Sequence, residues 1–368
     1  MESADVAIRG SGAVALSLGL ALSRQGLRVA LPQVPPLPAA GDIRAYALNA
    51  ASRQLLQDLK VWGALPADAV TPVYDMDVAG DAEGGRLQFS AWQQRVEALA
   101  WIVDAAELER MLHAAARFAP HLKLDTGEVA APLTVLAEGK ESAARAAFGV
   151  RFERHAYGQT AIAGRLVSDL PHAGVARQWF RAPDVLALLP LDRPQPALSR
   201  ALVWSLPTDR ADALLALDDA AFEQALNDAT AGAAGTLRLA GPRAAWPLSI
   251  ARADPLCGPG WVLVGDAAHV VHPLAGQGLN LGLADVAALT RVLAAREPWR
   301  PLGDEALLRR YARERAGPTL AMARLTDGLL HLFAQPQPAL RELRNRGMTL
   351  LNHLAPLKRM LTARALDA

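Results

Sequence analysis

Two glycine-containing stretches carry the most chemically specific residues in this chain. The later one runs Gly265-Asp266-Ala267-Ala268-His269, then Pro273-Leu274-Ala275-Gly276-Gln277-Gly278-Leu279-Asn280, with Asp285 just beyond. A carboxylate carried to a loop by a strand accepts hydrogen bonds from sugar or ribityl hydroxyls. Glycines at 276 and 278 let backbone N–H groups approach a flat ring or a phosphate, and the helix that follows turns its positive end to the same ligand. Glycine used only for turning is the alternative, and the crowding of special residues into one loop weighs against it.

The earlier stretch is Gly10-Ser11-Gly12-Ala13-Val14-Ala15. In a dinucleotide fingerprint the first glycine makes a tight turn, the second admits a pyrophosphate to the helix N-terminus, and the third lets helix and strand pack closely. Ala15 stands at the third position, one methyl larger. The acid usual at the end of the second strand is missing: Leu31 is followed by Pro32 and Gln33, and Gln33 can accept one ribose hydroxyl proton. Arg9, beside the first glycine, has two readings, a phosphate contact or a side chain leaving the sheet edge for solvent. His269 and His272 lie near the second stretch and titrate in the range useful for a general base. Nearness in sequence equally suits a structural histidine.

The elements around these residues must bring the two stretches together. Asp5 to Ile8 reads as a buried strand, Ala13 to Gln25 as a helix closing at Gly26, and Leu27 to Leu31 as a second strand, which opens a βαβ unit. The spacing predicts helices over Ala47–Leu59 and Asp104–Phe118, strands over Val70–Phe89 with a Gly84-Gly85 turn, and a strand at Leu133–Ala137. From Tyr157 to Pro247 short strands dominate, with one helix at Asp218–Thr230. Trp261–Val264 reads as a strand, and Gly276–Ala295, Glu305–Phe333 and Ala339–Ala365 read as helical.

Composition sets the outer limits. The 368 residues are 52% hydrophobic and 20% charged, enough for a large core and unlike a disordered chain. A formal net charge of +1 argues against nucleic-acid binding by bulk electrostatics. The single cysteine excludes an internal disulfide and a Cys-rich metal site, and fits a reducing cytoplasm. No basic n-region precedes an apolar stretch at the N-terminus, and no apolar run reaches membrane-spanning length.

Gly265 to Asp285 resembles the FAD-binding motif of the single-component aromatic hydroxylases with the para-hydroxybenzoate hydroxylase fold. Asp42-Ile43-Arg44, with Ala47, Leu48 and Ser52, is similar to that family's Asp-x-Arg segment, which implies that Arg44 contacts the flavin chain. Glu138-Gly139-Lys140-Glu141-Ser142 with Arg145 resembles its Asp-Gly…Ser…Arg motif, placed near FAD and the pyridine nucleotide. Within the superfamily the chain looks most like the ubiquinone-biosynthesis hydroxylases, at Leu99–Val103, Tyr157–Ala161, Leu170–His172, Leu188–Leu191 and from Tyr311 to Lys358.

The resemblance implies an α/β (α+β) architecture: a Rossmann-like FAD-binding domain, an inserted mixed β-sheet substrate domain and a helical C-terminus. The FAD-binding parts would be 1–72, 99–156 and 248–300, the substrate parts 73–98 and 157–247, and the C-terminal helices 301–368. It further implies FAD, NAD(P)H as co-substrate, and hydroxylation of a polyprenylated phenol through a flavin C4a-hydroperoxide. Gly10, Gly12 and the helix that follows, seated on the sheet at Ala15, would hold the pyrophosphate, and Asp266, after Gly265, the ribityl or pyrophosphate end. Pro273, Gly276, Gln277, Gly278, Leu279 and Asn280 would lie along the flavin ring.

The interval from Leu112 to Glu138 is short. Three strands with their turns need about 20 residues, so the meander that the family carries there is expected to be missing or reduced. With Ala15, Gln33 and Glu138 replacing usual residues, this motivates an alternative: a non-catalytic relative with weak FAD binding that serves as a partner or lipid-binding protein in the same pathway. A flavin reductase without O2 chemistry is a third class that fold alone leaves open. The segment from Arg341 to Arg364 mixes six basic residues with interleaved leucines. It suits either a helix on an anionic membrane surface, peripheral to the inner membrane, or one packed on the protein with a solvated basic face. Other ubiquinone-biosynthesis proteins would be its partners.

Overall fold

The computed structural model describes residues 4–31, 42–80, 85–272 and 277–334, with the side chains of 325, 326 and 329–334 excepted. Gln33, Pro273, Gly276 and the basic segment after Pro338 lie outside the described residues.

A six-stranded sheet forms the base. Its parallel part runs, in order, Trp261–Leu263, Leu133–Leu136, Val6–Arg9, Val29–Leu31 and Leu122–Leu124, and Cys257–Gly258 adds an antiparallel edge. Val6–Arg9 is central and is apolar except at its end, as a strand covered on both faces must be. The helix Ala13–Arg24 follows it. Ten of its 12 residues are buried, so it needs apolar cover all round. That cover is the sheet on one side and the helix Gly278–Ala294 on the other. The two helices meet where Gly282 faces Val14, and a Cβ on Gly282 would lie 2.6 Å from Val14 Cγ2.

A second, eight-stranded sheet forms the far half, in the order 269–270, 237–254, 151–168, 199–207, 184–191, 175–181, 75–79 and 86–90. A small antiparallel sheet of Ala45–Leu48, Ala100–Asp104 and Val70–Val73 lies between the two. Arg151–Ser168 and Leu237–Asp254 are 18 residues each and pair antiparallel from Arg151↔Asp254 to Ser168↔Leu237. The boundaries expected at 157 and 247 therefore fall inside continuous strands. Register shifts at Ala156/Thr160 and Gly164/Leu166 bend this pair without interrupting it.

Three local readings change. Ala47–Leu59 is a strand, Ala45–Leu48, and then a helix, Ala50–Asp58. Pairing with Ala100–Asp104 overrides the helical preference of Ala and Leu, and Asn49 restarts the chain as a cap by accepting from Ser52 N–H at 2.8 Å. Thr208–Leu215 is a helix ahead of Asp219–Thr230, so that region holds two helices rather than one. Leu122–Leu124 adds an edge strand to the first sheet. The helix after residue 300 is continuous from Glu305 to Ala334, with Pro318 inside it.

Only eight residues separate Leu124 from Leu133, and none of them is in a strand. The link must cross from one edge of the sheet past two strands and from the carboxyl to the amino end, roughly 20 Å from strand spacing and rise. Eight residues reach at most about 29 Å. No length remains for a meander, as the short interval predicts.

Candidate functional site

The two glycine stretches meet. Gly10, Gly12, Gly265, Asp266, Gly278 and Leu279 all line one cavity of 1870 Å³, at the carboxyl ends of the parallel strands. A single drug-sized ligand fills about 300–1,000 Å³, so this space has room for a large cofactor and a second molecule together.

Each glycine has a distinct reason to be there. Gly10 has φ +134, and a Cβ on it would lie 2.2 Å from Ala137 O, because the strand Leu133–Leu136 ends against the turn. At Gly12 a Cβ meets no atom within 4 Å. The open space beside Gly12, at the N-terminus of Ala13–Arg24, is the cradle an anionic group needs. Gly265 has φ +61, and its N–H donates to Asp285 Oδ2 at 2.9 Å. Ala15 is fully buried and the helix seats against the sheet with its methyl in place.

Asp266 presents its side chain to the cavity. Withdrawal from solvent raises its pKa, against the pull of His269, Lys140 and Arg44. Arg44 is clamped by Asp42, with Nε 2.9 and 2.8 Å from the two carboxylate oxygens, and lines the same cavity. Arg165 holds the segment from behind, donating to Arg44 O at 2.7 Å and to Asp104 at 2.9 Å.

The Glu138–Arg145 loop braces the Gly-Asp turn. Glu138 accepts from Ser142 Oγ at 2.6 Å and from Arg9 Nε at 3.1 Å. Arg9 thus pairs with carboxylates, and Glu128 also lies 3.5 Å from it. Arg145 donates to Lys140 O at 2.5 Å and Ala267 O at 3.1 Å while stacking on Phe152.

Four of the site residues expected from the sequence, Asn280, Gln277, His269 and His272, sit elsewhere. Asn280 is 1% exposed and is absent from the cavity wall. Its Oδ1 accepts from Asn49 N–H at 3.0 Å and Ser52 Oγ at 2.8 Å, and its Nδ2 donates to Ala47 O at 2.8 Å and Gln277 Oε1 at 3.1 Å. It is a clamp between the helix Gly278–Ala294 and the strand–helix turn at Asn49. Gln277 completes that clamp. Asn280→Ala removes a hydrogen-bond partner from four other residues, of which Asn49 and Ser52 are buried, and is expected to lower stability by about 2–4 kcal/mol. Urea unfolding measures it, and a midpoint equal to wild type would refute the clamp.

His269 and His272 are also outside the cavity wall. His269 Nε2 lies 2.7 Å from Asp285 Oδ2, and Arg315 Nε donates to the other oxygen at 2.6 Å. Burial disfavours charge on His269, and Asp285 outweighs it and raises its pKa. This buried group ties the Gly265 turn to the helices Gly278–Ala294 and Glu305–Ala334. His272 is fully buried, edge-on to Tyr157, and burial lowers its pKa to about 4.

The wall facing the flavin-type cradle belongs to the second sheet. Strand register sets Gln178, Ala187, Val203 and Ala163 in one row across four strands, all on the cavity. Ala176 and Met76 pair beside them. Small apolar side chains make the room, and Gln178 is the polar member of the row. Sequence reading missed Gln178, and it missed Glu109, which lines the cavity with its pKa raised by burial. Each reads in sequence as one polar residue in a strand or on an amphipathic helix, so only register and packing single them out.

The family model described as an FAD binding domain matches residues 113–326. Ubiquinone hydroxylase UbiL of Rhodospirillum rubrum is 32% identical over 99% of this chain and 89% of its own length. The 3-demethoxyubiquinol 3-hydroxylase of Escherichia coli is 29% identical over 99% of both chains. The chain belongs to the ubiquinone-hydroxylase family of FAD-dependent monooxygenases. Among solved structures, p-nitrophenol 4-monooxygenase PnpA from Pseudomonas putida shares the fold at TM-score 0.77, 16% identity, and 99% and 98% coverage of this chain and that one. A variant of HpxO from Klebsiella pneumoniae complexed with FAD shares it at TM-score 0.74, 18% identity and 99% coverage of both chains.

FAD is the cofactor of this family, and the residues present fit it. The space at Gly12, the positive helix end behind it, the cavity-facing Asp266 and the clamped Arg44 are the features that a pyrophosphate and a polyol chain require. Among the described residues no helix is long and apolar enough to cross a membrane, and no cluster of side chains is suited to a metal.

Proposed function

We propose that this monooxygenase hydroxylates the ring of a prenylated phenol in ubiquinone biosynthesis, with NAD(P)H as reductant. The observation that carries this reading is the continuity of the cavity from the Gly10–Gly12 turn to the apolar row of the second sheet. The relatives named as ubiquinone hydroxylases supply the substrate class.

When bound, FAD reduced by NAD(P)H would activate O2, so that one oxygen atom reaches the phenol ring and the other leaves as water. The chain's own residues do the rest. Gly10, Gly12 and the N-terminus of Ala13–Arg24 bind the pyrophosphate. Asp266 accepts from hydroxyls of the ribityl chain, while Gly278 and Leu279 flank the ring. The row at Ala163, Ala187 and Val203 orients an apolar substrate and excludes water, which strengthens polar contacts inside. Gln178, on the cavity face of that row, is placed to hydrogen-bond the phenol oxygen.

Two measurements test this. The purified chain retains close to one flavin, and product analysis shows one hydroxyl added to a prenylated phenol. Ala187→Phe fills the substrate half only, so it is expected to lower kcat/KM by about tenfold or more with flavin content unchanged. Loss of flavin in that variant would show that the row belongs to the cofactor instead.

A further inference from the structure

A Rossmann-type site holds the adenosine ribose with a carboxylate at the end of its second strand. Here that strand is Val29–Leu31, and no Asp or Glu occurs from Val6 to Gly41. Any carboxylate that meets the ribose therefore comes from another element of the chain.

The neighbouring parallel strand supplies one. Leu122–Leu124 pairs with Val29–Leu31 in register Val29↔Leu122 to Leu31↔Leu124. Asp125 is the next residue, and it lines the same cavity as Gly10 and Gly12. It stands one strand spacing, about 4.8 Å, from the line of the second strand. The chain turns there rather than continuing: Asp125 has φ 55, and Thr126 N–H donates to Leu31 O at 3.3 Å, which ties the turn onto the end of the second strand. Glu128, three residues on, also lines the cavity, with its carboxylate 3.5 Å from Arg9, while Asp125 itself interacts electrostatically with His113.

We propose that Asp125 takes the place of the missing acid and accepts hydrogen bonds from the ribose hydroxyls of the FAD adenosine. The proposal rests on the FAD reading of the cavity. The short link to Leu133 is what makes it feasible, because a chain crossing the sheet in eight residues must fold back over the strand ends at once.

The test is a fluorescence titration of the full-length, flavin-free chain with FAD and with an FAD analogue carrying 2′,3′-dideoxyribose on the adenosine. Wild type is expected to bind FAD about tenfold or more tightly than the analogue, the usual size of a charge-assisted hydrogen bond. Asp125→Asn weakens FAD binding to the level of the analogue and leaves the analogue unchanged. Asn adopts positive φ readily, so the variant keeps its turn, which an unchanged unfolding midpoint verifies. Glu128→Gln keeps the wild-type preference. Retained preference in Asp125→Asn, loss of it in Glu128→Gln, or FAD binding by wild type with no preference each overturns the assignment while the cofactor site stands. A wild-type chain that binds neither ligand overturns both.

Discussion

Alanine at Gly10 abolishes flavin binding and lowers stability by about 3–5 kcal/mol, the sum expected for a strained φ and an overpacked backbone contact. The added Cβ falls 2.2 Å from Ala137 O and 2.5 Å from its carbonyl carbon, both backbone atoms with no rotamer to change. Its φ of +134 is a second penalty for any side chain. Gly12→Ala separates the two effects. Its Cβ meets no protein atom within 4 Å and its φ is −79, so the fold is retained. The methyl instead occupies the space beside the helix N-terminus, and flavin affinity falls. Bound-flavin absorbance and urea midpoints for the two variants measure this. A Gly12→Ala protein as unstable as Gly10→Ala would contradict the assignment of that space to a ligand.

The second large effect is at Asp285, which is fully buried and receives Gly265 N–H, His269 and Arg315. Asp285→Ala leaves two cationic groups and a backbone donor without their acceptor and is expected to cost about 3–5 kcal/mol. The pH dependence follows from the directions of the two shifts. Burial works against the Asp285 anion, yet His269 and Arg315 hold its pKa below 3.8. Its stabilisation is therefore present above the unfolded value and lost as pH falls through the lowered folded one. The pKa of His269 is raised above 6.5, so its share is present below that value and lost as pH rises through the raised folded one. Urea midpoints of wild type and Asp285→Asn should differ most between about pH 4 and 6.5, and the difference should narrow above it as His269 loses its proton, without closing, because Arg315 stays charged. A difference that stays the same from about pH 5 to well above 6.5 would show that the charge on His269 plays no part.

How much of this was legible in sequence depends on whether a residue's partners are local. Gly10, Gly12, Gly265 and Asp266 stood out because their types are unusual at the ends of apolar strands, and the structure places all four on one cavity. Asn280 was just as conspicuous and was given to the flavin ring. Its partners Ala47, Asn49 and Ser52 lie more than two hundred positions earlier, and nothing near Asn280 announces them. His269 carried the same ambiguity, resolved only by the buried oxygen of Asp285 at 2.7 Å. Ala47 and Leu48, the end of the strand Ala45–Leu48, were assigned to a helix because their composition is helical and the strand's pairing partner is the distant Ala100–Asp104. The missing meander was legible, since chain length alone forbids it.

The long antiparallel pair formed by 151–168 and 237–254 has a consequence for how the halves of this enzyme relate. The end of that pair from Arg151↔Asp254 to Ala156↔Ser249 lies beside the first sheet, and the part from Thr160↔Pro247 onward contributes Ala161, Ala163 and Trp246 to the cavity wall. A fragment cut at 157 and 247 would sever both ladders midway and leave rows of unsatisfied amides on each piece. The catalytic unit is thus inherited whole: grafting a foreign substrate wall onto this flavin base requires splicing at Arg151 and Asp254, at the root of the ribbon.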